Sequence, residues 1–389
     1  MRIPRHIDNI TPFLAVEVFQ AASLLEAKGR SIVHLEFGEP DLPTPSIIKE
    51  AAIKAMLDGH TRYTHSLGIP RLREVIAHHH QVKYGVQVHP DQIVVSMGSS
   101  VLMQMLMLLL LEKGDQVILA DPSYACYANF VRMAGGEPVF VKIREKDGFQ
   151  LDPAAVKKKI GKRTKALLIC SPANPTGVVM KREVLKTLAG LGVPLISDEI
   201  YHGLTYSGEE HTALEFSNQA FVLNGFSKYF AMTGWRLGYL IFPSKLQPTI
   251  MKMHQNIMIS AADYVQHAGI AAITKAIPEC EVYKAEYDRR RVYMIECLQE
   301  IGLPLKYEPV GAFYCFADAS RYGKDSIKLA MDILNRAGVA VTPGLDFGAG
   351  GEGCLRFSYA NSLENIAEGM QRLGDYLKKK SGKQGKFSK

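Results

Sequence analysis

The chain has 389 residues, 47% of them hydrophobic, and a formal net charge of +7 at pH 7. This length predicts two domains, and a composition typical of ordinary soluble proteins allows each domain to bury a sizeable core. No apolar run reaches the roughly 18 residues that span a bilayer, and the N-terminus lacks the apolar core of a signal peptide, so neither a membrane span nor a signal peptide is expected.

The positive charge is concentrated at the C-terminus. The last twelve residues contain six lysines and no acid, so removing these six charges from +7 leaves +1 for the rest. A tail rich in Lys, Gly and Ser predicts a disordered end over residues 380–389, and without a recognition motif the charge does not indicate nucleic-acid binding. The six cysteines are widely spaced, which argues against a zinc site and a disulfide framework and favours the reducing cytoplasm.

The first two-thirds of the chain alternate between helical patterns and apolar runs. Helices are predicted over about 12–29, 46–58 and 70–84, with a short strand at 32–37. Apolar runs then predict strands at 92–96, 116–120, 137–141, 165–170, 194–197, 221–223 and 237–242. Near-continuous apolar strands separated by helices predict an α/β fold, with a mostly parallel sheet covered by helices, in which ligands bind beyond the carboxyl ends of the strands.

The pattern changes near residue 280. A long charged helix is predicted over about 281–301, followed by a strand at 311–316, a helix at 325–337, a strand at 355–359 and a final helix from Ser362. This order predicts a second, smaller α+β domain. We therefore expect a large domain over residues 46–280 and a small domain formed by residues 1–45 and 281–379.

A lysine follows one of the predicted strands, in the segment LNGFSKYFAMTGWRLG at 223–238. The amine of Lys228 can form a Schiff base with an aldehyde, and the guanidinium of Arg236 suits a phosphate. Pyridoxal 5'-phosphate carries both groups. A lysine after a strand is usually only a solvated surface residue, but this whole segment, Ser227 included, resembles the cofactor-lysine signature of class I aminotransferases.

Two other segments follow predicted strands and suit the same cofactor. Ser99 and Ser100, in GSS at 98–100, open a helix whose free N–H groups and hydroxyls can bind the phosphate, although plain N-capping is the common role of such residues. Tyr124, in DPSY at 121–124, offers a flat face to a pyridine ring, although a lone tyrosine is more often a core or interface residue. The resemblance implies that Tyr124 stacks on the cofactor.

Asn174 and Asp198 lie in the two most specific of the remaining motifs. SPANPTG at 171–177 is a rigid turn that resembles the family's Asn-Pro-Thr-Gly motif, so Asn174 is expected to contact the phenolic oxygen of the cofactor and to line the substrate site. SDEIY at 197–201 resembles the family's Asp-x-x-Tyr element. An anionic Asp198 would keep the pyridine nitrogen protonated and make the ring an electron sink, and Tyr201 would reach the ring oxygen.

An arginine inside an apolar strand needs a partner for its charge. Arg356, in CLRFSY at 354–359, resembles the family's arginine for the substrate α-carboxylate, with a buried ion pair as the alternative. Gly38, in FGEPD at 37–41, would bring backbone close to the same carboxylate. Tyr63, in RYTHSLGIPRLR at 62–73, matches a family tyrosine that reaches the phosphate held by the neighbouring subunit, which implies a homodimer with shared active sites.

The resemblance covers about residues 10–378 and implies fold type I of the pyridoxal-phosphate enzymes, within the class I/II aminotransferases. It implies a ping-pong transamination between an L-amino acid and a 2-oxo acid, by an aldimine/ketimine mechanism. In this mechanism Lys228 moves a proton from the substrate α-carbon to the aldehyde carbon of the cofactor. One departure is Gly225, where some branches of the family have a phosphate-binding serine.

Alternatives remain at this point. A β-lyase acting on sulfur-containing amino acids would use the same lysine, aspartate and arginine, and a regulator that binds the cofactor without turnover is a third class. No metal site is expected, because the side chains of His78, His79 and His80 point in directions about 100° apart on a helix. The substrate side chain is left open by the sequence.

Overall fold

The structure is a computed structural model that describes residues 4–384. The helices are α1 (Arg5–Asp8), α2 (Leu14–Glu26), α3 (Ser46–Leu57), α4 (Pro70–Tyr84), α5 (Ser99–Leu110), α6 (Cys126–Met133), α7 (Pro153–Lys159), α8 (Arg182–Ala189), α9 (Gln247–Ile257), α10 (Asp263–Ala271), α11 (Ile277–Glu300), α12 (Ser326–Ala337) and α13 (Leu363–Gln384). The strands are β1 (Val33–His34), β2 (Ile93–Ser96), β3 (Gln116–Asp121), β4 (Glu137–Lys142), β5 (Thr164–Cys170), β6 (Leu195–Asp198), β7 (Phe221–Gly225), β8 (Gly238–Ile241), β9 (Tyr314–Asp318), β10 (Val339–Ala340), β11 (Thr342–Pro343) and β12 (Cys354–Ser358).

The larger sheet has the strand order β2-β8-β7-β6-β5-β3-β4. Only β8 runs against its neighbours, and the other pairs are parallel, as the alternation of apolar runs and helices predicted. Successive residues of one strand point to opposite faces. Leu167 packs into the core on one face and Leu168 into the core on the other, and burying each stabilises the fold by about 2 kcal/mol.

A second group of strands forms beside this sheet. β11, β12 and β9 make an antiparallel sheet, and β1 pairs in parallel with β10. Helix α11 connects the two parts, because Cys280 at its start belongs to a core of the larger sheet while Tyr287 and Met294 belong to the core of the second group. The predicted boundary at 280/281 falls inside this continuous helix, and the domain limits themselves stay a prediction.

Several elements differ from their predicted bounds, and β1, β9 and α13 are three of them. β1 is only two residues long, and two residues beyond it the Glu36 carbonyl accepts hydrogen bonds from two side chains, the Arg356 guanidinium and the Thr342 hydroxyl, and not from a backbone N–H. β9 begins at Tyr314 and not at 311. α13 continues five residues into the predicted disordered tail, where Lys380 Nζ lies 3.3 Å from Asp332 Oδ2. The rest of that tail, 385–389, lies outside the described residues.

None of the helices described is both long enough and apolar enough to cross a lipid bilayer.

Candidate active site

A cavity of about 300 Å³ opens beyond the carboxyl ends of β5, β6 and β7. It lies where ligands bind in parallel α/β sheets. Eleven of the twelve predicted site residues line it: Gly38, Ser99, Ser100, Tyr124, Asn174, Asp198, Tyr201, Ser227, Lys228, Arg236 and Arg356. The twelfth, Tyr63, lies elsewhere on the surface with 79% of its area exposed.

Lys228 follows β7 and points its amine across the cavity. Its Nζ donates a hydrogen bond of 2.6 Å to the Gly38 carbonyl oxygen, and it lies 5.9 Å from the ring centroids of both Tyr201 and Phe313. Burial is the main cause that lowers the pKa of Lys228 to about 8, and the nearby Arg356 acts in the same direction. A lysine in this environment has a much larger neutral, nucleophilic fraction near neutral pH than a solvated one.

Asp198 is the last residue of β6 and is 7% exposed. Its Oδ2 accepts a hydrogen bond of 2.7 Å from the Tyr127 hydroxyl, and its Oδ1 accepts one of 3.1 Å from the Ile200 N–H. Burial raises the pKa of Asp198 to about 6, while these hydrogen bonds oppose the rise. The carboxyl group is therefore fixed in direction and still ionised at pH 7, as needed to pair with a protonated ring nitrogen.

The start of α5 forms the most positive edge of the cavity. No side chain caps this helix, so the N–H groups of its first turn, which begins with Ser99 and Ser100, have no intrahelical partners. Gly98 precedes them at φ 86°, and a Cβ on it would lie 2.5 Å from Arg236 Nη2. Glycine thus lets the guanidinium approach the helix start. Free N–H groups, hydroxyls and a guanidinium together fit a phosphate monoester.

Arg356 lies in β12 and is 2% exposed. Its Nη1 donates 2.9 Å to Asn174 Oδ1, its Nη2 donates to Thr342 and to the Glu36 carbonyl, and its Nε has no partner. Within residues 4–384 no acidic side chain forms an ion pair with it, so the alternative of a buried ion pair is not supported. A buried, unpaired guanidinium favours an incoming carboxylate.

Two tyrosines that the sequence analysis did not select support the site. Tyr127 bonds Asp198, and the Tyr314 hydroxyl lies 2.7 Å from that of Tyr201. A Cβ on Gly38 would lie 1.9 Å from the Tyr314 hydroxyl, so glycine is required for this close approach. Tyr127 lies three residues after Tyr124, in the first turn of α6, and its N–H donates 3.1 Å to the Tyr124 carbonyl, so this short spacing is the signal by which it could have been found.

The ring of Tyr124 completes the wall above Asp198. It is half-buried and meets Tyr127 edge to face, with ring centroids 5.2 Å apart. The cavity thus combines, in one place, an amine of lowered pKa, a buried carboxylate, an aromatic face, an anion-binding helix start and an unpaired guanidinium. These groups match the aldehyde, ring nitrogen, ring face and phosphate of pyridoxal phosphate and the carboxylate of an amino acid.

Comparisons with known proteins agree with this chemistry. The family model for aminotransferase class I and II matches residues 30–373. The (5-formylfuran-3-yl)methyl phosphate transaminase of Methanocaldococcus jannaschii is 37% identical over 97% of this chain and 100% of its own length. The aspartate aminotransferase of Pyrococcus horikoshii is 37% identical over 92% of each chain.

Solved structures show the same similarity in three dimensions. The aspartate aminotransferase of Thermus thermophilus with maleate superposes with a TM-score of 0.92 at 37% identity, covering 96% of this chain and 100% of that one. The relatives are named for transamination, which supports that reaction and not the β-lyase alternative. The chain belongs to the class I and II aminotransferases, enzymes that use pyridoxal phosphate to move an amino group between an amino acid and a 2-oxo acid.

Proposed function

We propose that this aminotransferase forms its Schiff base through Lys228 and binds the substrate α-carboxylate through Arg356. The observation that carries the proposal is that both groups open into one cavity, the amine with a pKa lowered to about 8 and the guanidinium with a free Nε. When bound, pyridoxal phosphate supplies the aldehyde and an electron-withdrawing ring.

Lys228 has two tasks in this proposal. Its neutral Nζ would be the nucleophile toward the aldehyde, and the free amine would then move a proton from the substrate α-carbon to the carbon that was the aldehyde, and in the opposite direction during the second half-reaction. The Gly38 carbonyl, which accepts from Nζ at 2.6 Å, keeps the amine inside the cavity between these steps. A general base acts best when its pKa is near the working pH, and a value of about 8 meets this condition.

Asp198 and Arg356 hold the two ends of the reacting system. Asp198 keeps a proton on the ring nitrogen, with Tyr127 fixing the direction of its carboxylate. Arg356 and Asn174 orient the α-carboxylate and exclude water from it, since both side chains are buried. Ser99, Ser100, Ser227 and Arg236 hold the phosphate, Tyr124 stacks on the ring, and Tyr201 contacts the ring oxygen with Tyr314 behind it.

The mouth of the cavity supports a preference for apolar amino acids. Phe13, Val16 and Phe37 line the cavity, and they offer contacts to an aliphatic or aromatic side chain. Glu39 also lines the cavity, and its charge would repel the second carboxylate of aspartate or glutamate. We therefore propose that amino acids such as leucine or phenylalanine are better amino donors than aspartate, unlike the relatives named for aspartate.

The proposal extends to assembly, domains and compartment. A homodimer is supported by Tyr63, which is 79% exposed and outside its own cavity, as expected of a residue that completes the partner's phosphate site. The limits 46–280 for the large domain, with 1–45 and 281–379 for the small one, are supported by the distribution of the three sheets, since β2 to β8 fall within the first range and β1 and β9 to β12 within the others. Free cysteines, two of them buried, are consistent with the reducing cytoplasm.

Spectra of the half-reaction test the function and the substrate class together. Purified protein loaded with pyridoxal phosphate is mixed with single L-amino acids, and the loss of the lysine-linked absorption band is followed by stopped flow. We expect leucine and phenylalanine to convert the cofactor faster than aspartate, and Glu39→Gln to narrow the difference. Aspartate reacting fastest in both proteins would contradict the substrate preference, while no conversion by any amino acid would contradict transamination through this site.

A further inference from the structure

Away from the active site, two histidines and an aspartate come together on the surface. His60 follows α3, and Asp263 and His267 are one turn apart in the first part of α10. One oxygen or nitrogen from each of the three lies within 4.8 Å of the others. We infer that these three residues form a binding site for one divalent transition-metal ion, with Zn²⁺ as the ion that best fits the donors.

The distances match a metal site. His60 Nδ1 lies 3.1 Å from Asp263 Oδ2, and His267 Nε2 lies 3.5 Å from Asp263 Oδ1. Ligands bonded to Zn²⁺ at about 2.0–2.1 Å in a tetrahedron are roughly 3.3 Å apart, so both contacts are close to the spacing of two ligands on one ion. The imidazole rings of His60 and His267 lie next to each other, with centroids 4.1 Å apart and planes tilted by 42°.

The chemistry of the donors selects the class of ion. Two imidazoles and one carboxylate suit Zn²⁺ and similar transition metals, whereas Mg²⁺ and Ca²⁺ prefer oxygen ligands alone. The side chains of His60 and His267 are 41% and 32% exposed, so a fourth position is open to water. Asp263 is only 12% exposed and stands at the first residue of α10, where the helix favours a negative group.

The segment that supplies His60 is already held against α10. The Thr64 N–H donates 3.2 Å to Ser260 Oγ, and Gln266 Nε2 donates 3.0 Å to Thr64 Oγ1. Ser260 lies just before α10 and Gln266 lies within it, so a metal ion would add a further link between α10 itself and this segment, which also carries Tyr63. Sequence spacing predicts no such site, because 203 residues separate His60 from Asp263.

Metal titration of the cofactor-loaded, untagged protein tests the site. After treatment with a chelator, wild type should bind one Zn²⁺ per chain in calorimetry, and excess Mg²⁺ should not displace it. His267→Ala and Asp263→Asn should each weaken Zn²⁺ binding at least about tenfold, since the loss of an outer-shell partner alone costs 10- to 100-fold. The matched control is His89→Ala, which removes a histidine that is 71% exposed and outside the cluster, and it should bind Zn²⁺ like wild type.

The visible absorption of bound Co²⁺ is an independent measurement of whether the same residues bind a metal ion. Co²⁺ bound at a site with nitrogen ligands should produce visible absorption in wild type and in His89→Ala, and this absorption should disappear in His267→Ala. Equal Zn²⁺ affinity in wild type and His267→Ala would overturn the proposal, as would the absence of stoichiometric Zn²⁺ uptake. Asp263 would then serve only as a hydrogen-bonding bridge between the two imidazoles.

Discussion

Lys228 and Asp198 share one buried environment, and burial acts on them in opposite directions. It lowers the pKa of the lysine to about 8 and raises the pKa of the aspartate to about 6. Between these values the aspartate is anionic and the lysine still largely cationic, so each charge favours the other. Above about 8 the amine becomes neutral while Asp198 stays ionised, and both groups are then in the form that the reaction needs.

The pKa of Lys228 predicts how fast the cofactor-free protein captures pyridoxal phosphate. Only the neutral amine attacks an aldehyde, so the rate should rise as the pH increases through about 8 and then level off. Glu39 raises the pKa of Lys228, and Glu39→Gln should therefore move the midpoint to lower pH. Stopped-flow absorbance measures both curves. A flat profile in wild type, or a midpoint that moves upward in the variant, would be inconsistent with this electrostatic picture.

Variants of Asp198 and Tyr127 compare how much a charge and a hydrogen bond each contribute to kcat. Asp198→Asn keeps the shape but removes the charge that holds the ring nitrogen protonated, so kcat should fall by about 100-fold or more. Tyr127→Phe removes one hydrogen bond and leaves the charge, so the fall should be about tenfold. Steady-state assays give both values, and borohydride labelling of Lys228 should persist in each variant. Similar losses in the two variants would show that the charge is not the main contribution.

At the scale of elements, the site depends on how closely α5 approaches the turn that carries Arg236. Gly98 allows this approach in two ways. Its backbone has φ 86°, a conformation that residues with a side chain rarely adopt. A Cβ on Gly98 would also lie only 2.5 Å from Arg236 Nη2, so the absence of a side chain leaves room for the guanidinium. Gly85, which ends α4 at φ 70°, has the same backbone demand, but a Cβ there would meet no described atom within 4 Å.

This pair of glycines gives a controlled test of the phosphate site. Gly98→Ala should weaken the affinity for pyridoxal phosphate about tenfold or more, because the new methyl group displaces Arg236. Gly85→Ala should lower the free energy of unfolding by about 1 kcal/mol and leave cofactor affinity unchanged. Equilibrium dialysis and chemical denaturation measure the two effects. Equal cofactor affinity in both variants would mean that Arg236 does not hold the phosphate.

The larger sheet was predictable from the sequence because β2, β6, β7 and β8 are buried on both faces and therefore mostly apolar, while the edge strand β4 is largely exposed and was found from its shorter apolar run. The cavity lining was predictable because motifs at strand ends all meet at one edge of that sheet. Tyr127 and Tyr314 were not found, since a buried tyrosine in a helix or strand looks like core until its partner is known. The cluster of His60 and Asp263 was not found for the same reason, because its members are recognisable only when their neighbours in space are known. Composition alone could not show that α13 continues through Lys380.

At the scale of the whole molecule, the cavity is built from both groups of strands. Lys228 and Asp198 come from the larger sheet, while Gly38, Tyr314 and Arg356 lie with the second group. The hydrogen bonds from Lys228 to Gly38 and from Arg356 to Asn174 each join the two groups. Any change in their relative position would thus change the distance between the Lys228 amine, which we propose reacts with the cofactor, and the Arg356 guanidinium, which we propose binds the substrate carboxylate.

If, as we propose, the protein is a homodimer with shared active sites, two damaged subunits should complement each other. Lys228→Ala lacks the reacting amine but retains Tyr63, and Tyr63→Ala retains the amine but cannot complete the partner's phosphate site. If the two variants are unfolded together and refolded at equal concentration, random pairing places half of the chains in mixed dimers, each with one intact site. The mixture should then recover about a quarter of wild-type activity, well above the mean of the separate variants. The double variant Lys228→Ala/Tyr63→Ala, refolded with wild type, is the matched control: its mixed dimers contain no intact site, so the mixture should keep about a quarter of wild-type activity, from wild-type dimers alone, and not the roughly half expected if each chain built its own site. Activity equal to the mean of the parents in the first mixture would show that each chain builds its site alone.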